Sequence, residues 1–381
     1  MFSKFAPRAL LLFLTLLGVL AACSRPAPPA PTLPVGLKTG WNAVAPGGET
    51  LCADGSAYRY FVSPGNVNKL LVTFEGGGAC WNGGLCSSPS TPGNNFRGLY
   101  VNRVYGSPQD YGFGGVFSRT NPKNPFKNWY HVHVSYCTGD LHLGDNTATY
   151  PAPGGGTLTV QHRGAVNTRA VLDWVFSNFS SPKTVFVAGV SAGAYASIIW
   201  LPEIAAAYPD ADLAQLGDSG AGVVTPGFFA ADAANWRIGG ALPELATPVA
   251  LDENILVNLY RGVGRAYPEA ALAQYTSVLD GTQIGFFGLM QGITQPTPEL
   301  AAAWSAKMTA SLGAIAAETP NFRSYVSALD LDANPANGTA HVILQRPEFY
   351  TLETNGVHFA DWLNDLANGR DVESVTPGEA L

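Results

Sequence analysis

The chain has 381 residues, of which 46% are hydrophobic and 13% are charged, and its formal net charge is −7. That length is enough to bury one large core, and the lack of any concentrated run of Lys and Arg argues against nucleic acid as a partner. The 43 glycines and 28 prolines predict many turns and shaped loops rather than a helical bundle.

The N-terminus has the pattern of a targeting segment. Lys4 and Arg8 precede a short apolar run, residues 9–20, which is too short for an ordinary membrane span. The run ends in Leu-Ala-Ala-Cys, which resembles the lipobox of bacterial lipoproteins and implies lipid attachment to Cys23; the alternative is ordinary cleavage with Cys23 incidental. We therefore predict a signal peptide over 1–22 and a Pro-rich tether over 23–38 that holds an exported domain at a membrane surface.

Four further cysteines fit an exported domain, because disulfides persist in oxidising compartments. They are Cys52, Cys80, Cys86 and Cys137. An even number is consistent with two bridges, and the spacing leaves all three pairings open. Zinc is the competing interpretation, but the chain has no C-x-x-C pair among them and no His pair at helical spacing. We expect no metal and no other cofactor.

A single domain is predicted over 39–370, with a C-terminal tail over 371–381. Its first strands are expected at 58–62 and 69–75, and the second strand runs into three glycines, Gly76–Gly78. Glycines at a strand end leave backbone N–H groups uncovered, so this loop can stabilise an oxyanion. A phosphate-binding loop is the alternative, but the Lys-Ser/Thr ending and the G-x-G-x-x-G spacing are missing. A long Gly/Pro-rich loop follows over 87–127.

The middle of the chain contains the strongest local motif. A strand over 129–136 leads to a loop with His142, a candidate pocket residue, and apolar spacing predicts a helix over 161–179. A β-branched strand over 184–188 then precedes Gly-Val-Ser-Ala-Gly, and a helix follows over 194–201. Strand, glycine-flanked Ser191 and helix are the context of a nucleophile elbow. The alternative is a turn of small residues without chemistry.

The remaining elements continue the alternation of strands and helices. Strands are predicted at 213–220, 274–280 and 322–329, helices at 300–319 and 359–367, and a helical cap at about 226–270. This order predicts an α/β fold: a mostly parallel sheet with helices on both faces and the site at the carboxyl ends of its strands.

A serine nucleophile needs a base, and the base needs an orienting carboxylate. Downstream of Ser191 there are two histidines, and His341 is favoured over His358 because it follows a flexible loop after the last predicted strand. Asp218 and Asp280 both end predicted strands, so spacing alone does not separate them. The usual order in α/β-hydrolases favours the later acid, Asp280, which leaves Asp218 in or behind the pocket.

Five segments stand out in order along the chain: Glu75–Trp81, Tyr136–Asp140, Gly189–Gly193, Asp218–Gly220 and Leu279–Gln283. Together, in matching order across residues 50–365, they resemble the pectin acetylesterase/Notum family of α/β-hydrolases. The resemblance implies Ser191 as nucleophile, Asp280 as acid and His341 as base. It also implies the oxyanion donors and the disulfide pairing. The donors are the N–H groups of Gly77, Gly78 and Ala192, and the pairs are Cys80–Cys86 and Cys52–Cys137.

The function implied is a serine ester hydrolase that works through an acyl-enzyme, as a monomer anchored on the cell envelope. An acetylated polysaccharide is the expected substrate; the alternatives are a lipid or protein O-deacylase and a non-catalytic binding lipoprotein on the same scaffold. Trp81 and Tyr136 are candidate pocket residues. Two departures from the family pattern leave the substrate open: Gly78-Ala79 stands where relatives often carry an aromatic residue, and the cysteine set is smaller.

Overall fold

The computed structural model describes Met1 and residues 36–94, 97–330 and 338–378. Residues 2–22 of the predicted signal peptide, Cys23 and residues 24–35 of the predicted tether lie outside these described residues. Among the helices of the described ranges, none is both long and apolar enough to cross a membrane.

Eight strands form the central sheet. They are β1 (Asn42–Val44), β2 (Tyr60–Ser63), β3 (Asn66–Phe74), β4 (Trp129–Val134), β5 (Thr184–Val190), β6 (Asp212–Asp218), β7 (Ala271–Ser277) and β8 (Phe322–Ser327). Their order across the sheet is β1-β2-β4-β3-β5-β6-β7-β8. Every pair from β4 to β8 is parallel, whereas β2 is antiparallel to both of its neighbours. The prediction of a mostly parallel sheet is confirmed.

Helices cover both faces of this sheet, as predicted. They are α1 (Gly83–Cys86), α2 (Gly164–Asn178), α3 (Ala192–Ile199), α4 (Leu201–Ala207), α5 (Ile255–Ala266), α6 (Gly281–Leu289), α7 (Pro298–Glu318) and α8 (Phe359–Ala367). Apolar side chains of α2 to α7 join one large core, and those of α8 join a second. Alternate residues of the strands supply the two cores, because successive strand side chains point to opposite faces: Leu70 and Val72 belong to the first, and Leu71 to the second.

The predicted N-terminal end of the helix over 161–179 is wrong. Residues 161 and 162 do not begin a helix; they end the strand Thr157–His162, which forms a hairpin with Asn146–Pro151. Helix α2 starts at Gly164, whose N–H donates to the buried carboxylate of Asp140 at 2.8 Å. The apolar spacing continues across the start of α2 and does not mark it. The start is determined by the contact between Gly164 and Asp140, which are 24 positions apart.

The strand predicted at 274–280 is displaced toward the N-terminus. It ends at Ser277, and Asp280 is instead the N-cap of α6, where its side chain accepts a hydrogen bond from the Gln283 N–H at 3.0 Å. Aspartate is favoured at this position because its carboxylate satisfies an otherwise unpaired N–H of the first helical turn. The Asp280 carboxylate is therefore attached to the start of a helix.

Both disulfides have the pairing that the family resemblance implies, Cys52–Cys137 and Cys80–Cys86. The imidazole of His162 lies beside the second bridge. Its two nitrogens contact the Thr138 carbonyl and the Tyr150 hydroxyl, both at 2.9 Å. The cysteine sulfurs at this point are therefore joined to each other and do not present thiolates to a metal.

The described part of the C-terminal tail continues the sheet. Val375 accepts from the N–H of Val326 and donates to the carbonyl of Ser324, each at 2.8 Å. Val372 and Val375 also contact the core under α8. The edge of β8 is thus covered by the tail along this stretch, which protects an edge strand from pairing with another chain.

Candidate active site

Ser191 occupies the sharp turn between β5 and α3. Its backbone has φ 55° and ψ −117°, a conformation that costs free energy in a non-glycine residue. Its N–H donates to the Asp218 carbonyl at 2.7 Å, which ties the turn to the end of β6. The flanking glycines are required by space: a Cβ on Gly189 would lie 1.9 Å from the Gly193 carbonyl oxygen, and one on Gly193 would lie 2.2 Å from that of Phe74.

The glycine loop after β3 passes directly beside this turn. A Cβ on Gly76 would lie 2.9 Å from the Cβ of Ser191, and one on Gly78 would lie 1.9 Å from the Leu99 carbonyl oxygen. Gly77 and Gly78 have φ values of 150° and 74°. Within the described ranges, the N–H groups of Gly77, Gly78 and Ala192 donate to no protein acceptor. They are therefore available to a ligand atom near Ser191.

Two of the predicted pocket residues, Tyr136 and His142, bind backbone carbonyl groups of this loop. The hydroxyl of Tyr136 donates to the Gly78 carbonyl at 2.9 Å, and His142 Nε2 donates to the Glu75 carbonyl at 2.8 Å. Both side chains are buried, and neither lines the cavity next to Ser191. Tyr136 and His142 thus fix the direction of the loop carbonyls, which fixes the direction of the neighbouring N–H groups.

His341 is paired with Asp280. Its Nδ1 lies 3.0 and 2.8 Å from the two carboxylate oxygens, and Asp280 itself is held by the side-chain amide of Gln283 at 2.9 Å. The Asp280 side chain is fully buried, whereas that of His341 is 20% exposed. Of the two candidate acids that strand spacing left open, Asp280 is the one that touches the imidazole. The role of Gln283 could have been inferred from its position three residues after an N-cap.

The second ring nitrogen of His341, Nε2, has no hydrogen-bond partner within the described residues. His341 lines the same cavity as Ser191, so this nitrogen remains for a proton from the cavity side. Burial by itself lowers the pKa of His341. The charges of Asp280 and Asp218 and the hydrogen bond that His341 donates to Asp280 outweigh burial, and the pKa lies above its ordinary value.

Asp218 and Ser219 act on the backbone that follows His341. One oxygen of Asp218 accepts from the N–H groups of Ile343 and Leu344, at 2.9 and 2.8 Å, and Ser219 Oγ accepts from that of Val342 at 2.9 Å. Burial raises the pKa of Asp218 to about 6. Three consecutive N–H groups are thus anchored to the end of β6, a role for Ser219 that sequence reasoning did not anticipate.

His358, the competing base, lies elsewhere. Its side chain is 55% exposed and is 3.1 Å from Glu353 across the small hairpin of Glu353–Thr354 and Val357–His358. It does not line the cavity with Ser191. The structure therefore brings His341, and not His358, next to Ser191.

A narrow apolar cavity of about 60 Å³ lies against Ser191. Its walls include large rings from several elements: Trp81, Phe228, Phe229, Trp236, Phe286 and Trp304. Of the segment expected to form a cap, the short helical turns at Phe228–Asp232 and Ala234–Trp236 reach this cavity, while α5 packs against α3 and α7. The full extent of the cap, 226–270, stays a prediction.

A family model described as pectinacetylesterase matches residues 37–237. Two crystal forms of the Wnt deacylase Notum from Drosophila are similar in structure, each at 16% identity. The first has a TM-score of 0.52 over 85% of this chain and 93% of that chain, and the second 0.56 over 90% and 98%. No curated protein matches the chain. At this identity the Notum structures establish the α/β-hydrolase-like fold alone. The match to the family model over more than half of the residues shows that the chain belongs to the pectinacetylesterase family.

Proposed function

We propose that the chain is a serine carboxylic-ester hydrolase that removes acetyl groups from polysaccharide through an acyl-enzyme. Family membership implies ester hydrolysis. The observation that supports serine chemistry is the arrangement around the cavity: Ser191 stands on a strained turn, and His341 is held by Asp280 through Nδ1 while Nε2 has no partner. Nucleophile, base and orienting carboxylate are the parts that such chemistry needs.

In the proposed reaction, Ser191 Oγ attacks the ester carbonyl carbon and its proton passes to His341 Nε2. The N–H groups of Gly77, Gly78 and Ala192 stabilise the resulting oxyanion, each contributing about 10²–10³ in rate. The C–O bond to the alcohol then breaks, and His341 returns the proton to the leaving oxygen. Water attacks the acyl-enzyme by the same route and releases the carboxylic acid and free Ser191.

The size of the apolar cavity favours a short acyl group. A cavity of about 60 Å³ whose walls include tryptophan and phenylalanine rings has little room for a long chain. Side chains in such a wall are packed closely, so enlarging the cavity would force several rings from their rotamers. We therefore expect acetate esters to be better substrates than palmitate esters.

Labelling with a fluorophosphonate tests the serine chemistry. The wild-type protein should be labelled, Ser191→Ala should not, and Ser177→Ala, which changes an exposed serine on α2, should be labelled like the wild type. Equal labelling of Ser191→Ala, or no labelling of the wild type, contradicts the proposal and favours a binding protein. Rates on p-nitrophenyl esters from acetate to palmitate then identify the acyl group; a maximum at long chains favours a lipid or protein deacylase.

We further propose export and anchoring through a lipid on Cys23. The support is the basic, apolar and Leu-Ala-Ala-Cys pattern of the first 23 residues, and two disulfides are consistent with an oxidising compartment. In a bacterial host, the wild-type protein should incorporate labelled palmitate and sediment with membranes. Cys23→Ser should do neither; unchanged sedimentation of that variant contradicts lipid anchoring.

A further inference from the structure

Two cavities meet at the reacting residues. The apolar cavity lies on one side of Ser191 and His341, and a larger cleft of about 290 Å³ is lined by the same two residues together with the glycine loop. An ester has an acyl part and an alcohol part, which extend in different directions from its carbonyl carbon. If the proposed function holds, the apolar cavity receives the acyl group and this cleft receives the alcohol.

The cleft has the chemistry of a site for a polar, ring-shaped group. Ser90, Tyr111 and Gln345 contribute polar side chains to its wall. The rings of Tyr111 and Phe113 stack with centroids 5.3 Å apart, and both line the cleft. Aromatic faces beside hydrogen-bonding groups are suited to a sugar ring, which has apolar C–H faces and polar edges.

The permanent charge in the cleft wall is negative. Among the described residues that line the cleft, Glu75 is the only acidic side chain, there is no Lys or Arg, and His341 is the one side chain that becomes cationic on protonation. The carboxylate of Glu75 accepts from the Tyr136 N–H at 2.8 Å and lies 3.7 Å from His133 Nε2, with 11% of the side chain exposed. Burial, followed by the charge of Glu75, raises the pKa of the Tyr111 phenol, so the negative potential of Glu75 extends to the Tyr111 side of the cleft.

We propose that this cleft binds the alcohol part of the substrate as an uncharged sugar and discriminates against a sugar that carries a carboxylate. A second negative charge near Glu75 is repelled. It would also lose water without gaining a Lys or Arg partner from the described cleft wall, and His341 supplies no positive charge in the neutral state that accepts the serine proton. Such desolvation is costly. Esterification of the sugar carboxylate removes both penalties.

A matched pair of polymers tests this inference: acetylated polygalacturonan of equal acetyl content, either methyl-esterified or demethylated. Acetate release is measured, so that methanol from the methyl ester is not counted. We expect kcat/KM to be about threefold to tenfold higher on the methyl-esterified polymer at low salt, and the difference to shrink at about 0.5 M NaCl. An equal or higher value on the demethylated polymer overturns the inference.

Two variants test whether the charge of Glu75, rather than the shape of the cleft, causes the discrimination. In Glu75→Gln the side chain keeps an acceptor for the Tyr136 N–H, and the ratio of the two kcat/KM values should fall toward one. Asp210→Asn removes an exposed acid just before the amino end of β6. The cleft lies at the carboxyl ends of the strands, so this variant should keep the wild-type ratio. An unchanged ratio in Glu75→Gln contradicts the role of that residue.

Hydrolysis of p-nitrophenyl acetate distinguishes the two proposals. Activity on this ester without discrimination between the polymers overturns only the assignment of the cleft. No activity on any ester overturns the proposed function itself.

Discussion

At the scale of single residues, two carboxylates act on His341 by different routes. Asp280 contacts the imidazole directly, whereas Asp218 binds the backbone N–H groups of Ile343 and Leu344. The first contact fixes the ring orientation and leaves Nε2 without a partner among the described residues, as the proposed proton transfer requires. The second fixes the loop that carries the ring, so we infer that Asp218 is a positioning residue.

If His341 is the general base that we propose, the pH dependence of activity follows from its environment. A general base must be neutral to accept a proton, and the pKa of His341 lies above its ordinary value of 6.5. We therefore expect kcat/KM for p-nitrophenyl acetate to rise with pH through a midpoint above 6.5. Because the folded-state pKa is raised, the stability gained from charged His341 is complete below the unfolded pKa and is lost as pH rises through the folded one. A midpoint at or below 6.5 would contradict this.

The two carboxylates should respond differently to removal of their charge. Asp280→Asn is expected to lower kcat by about 10³–10⁴, because the wrong histidine tautomer is then favoured. Asp218→Asn should cost less, about 10–100-fold, since it displaces the loop without removing the ring contact. It should also lower the pH midpoint, because the Asp218 charge raises the pKa of His341. Kinetics of both variants check this; a larger loss at Asp218, or a midpoint that does not move, would contradict the assignment.

At the scale of elements, the structure separates what local sequence determines from what it does not. The turn at Ser191 was predictable because its strand, glycines and helix are adjacent in the chain. The anchoring of Leu344 by Asp218 was not, because it joins residues 126 positions apart. Likewise the periodicity that predicted a helix from Gln161 gave no sign of the hairpin that includes this residue. The order of strands depends on such distant pairings throughout.

Substitution of Gly193 tests how closely α3 must approach β3. A methyl group there would lie 2.2 Å from a backbone oxygen of Phe74, which cannot rotate away. We expect Gly193→Ala to lower the free energy of unfolding by about 1–3 kcal/mol and to reduce activity, because α3 carries Ala192. Gly313→Ala in α7 is the matched control: it meets no atom within 4 Å and should raise stability by about 0.5–1 kcal/mol. Denaturant unfolding measures both, and equal effects would refute the argument.

At the scale of the whole molecule, two covalent links serve different parts of the structure. Cys52–Cys137 joins the segment before β2 to the chain just after β4, at a sequence separation of 85. Cys80–Cys86 closes only 6 residues, but it lies directly after the glycine loop. The Cys80 carbonyl also accepts from Trp236 Nε1 at 2.9 Å, and Trp236 is part of the apolar cavity wall. The long bridge therefore constrains the fold, and the short one constrains the site.

Removing each bridge should separate stability from activity. By the entropy of loop closure, the long bridge contributes about 4–5 kcal/mol and the short one about 2 kcal/mol. We expect Cys52→Ser with Cys137→Ser to cause the larger fall in Tm. Cys80→Ser with Cys86→Ser should cause the larger fall in kcat at a temperature where both variants are folded, because the donors of Gly77 and Gly78 lose their restraint. Tm and kcat of the two double variants check this. A larger fall in Tm without the short bridge would contradict the loop-closure argument, and a larger fall in kcat without the long bridge would show that the short bridge does not hold the glycine loop in place.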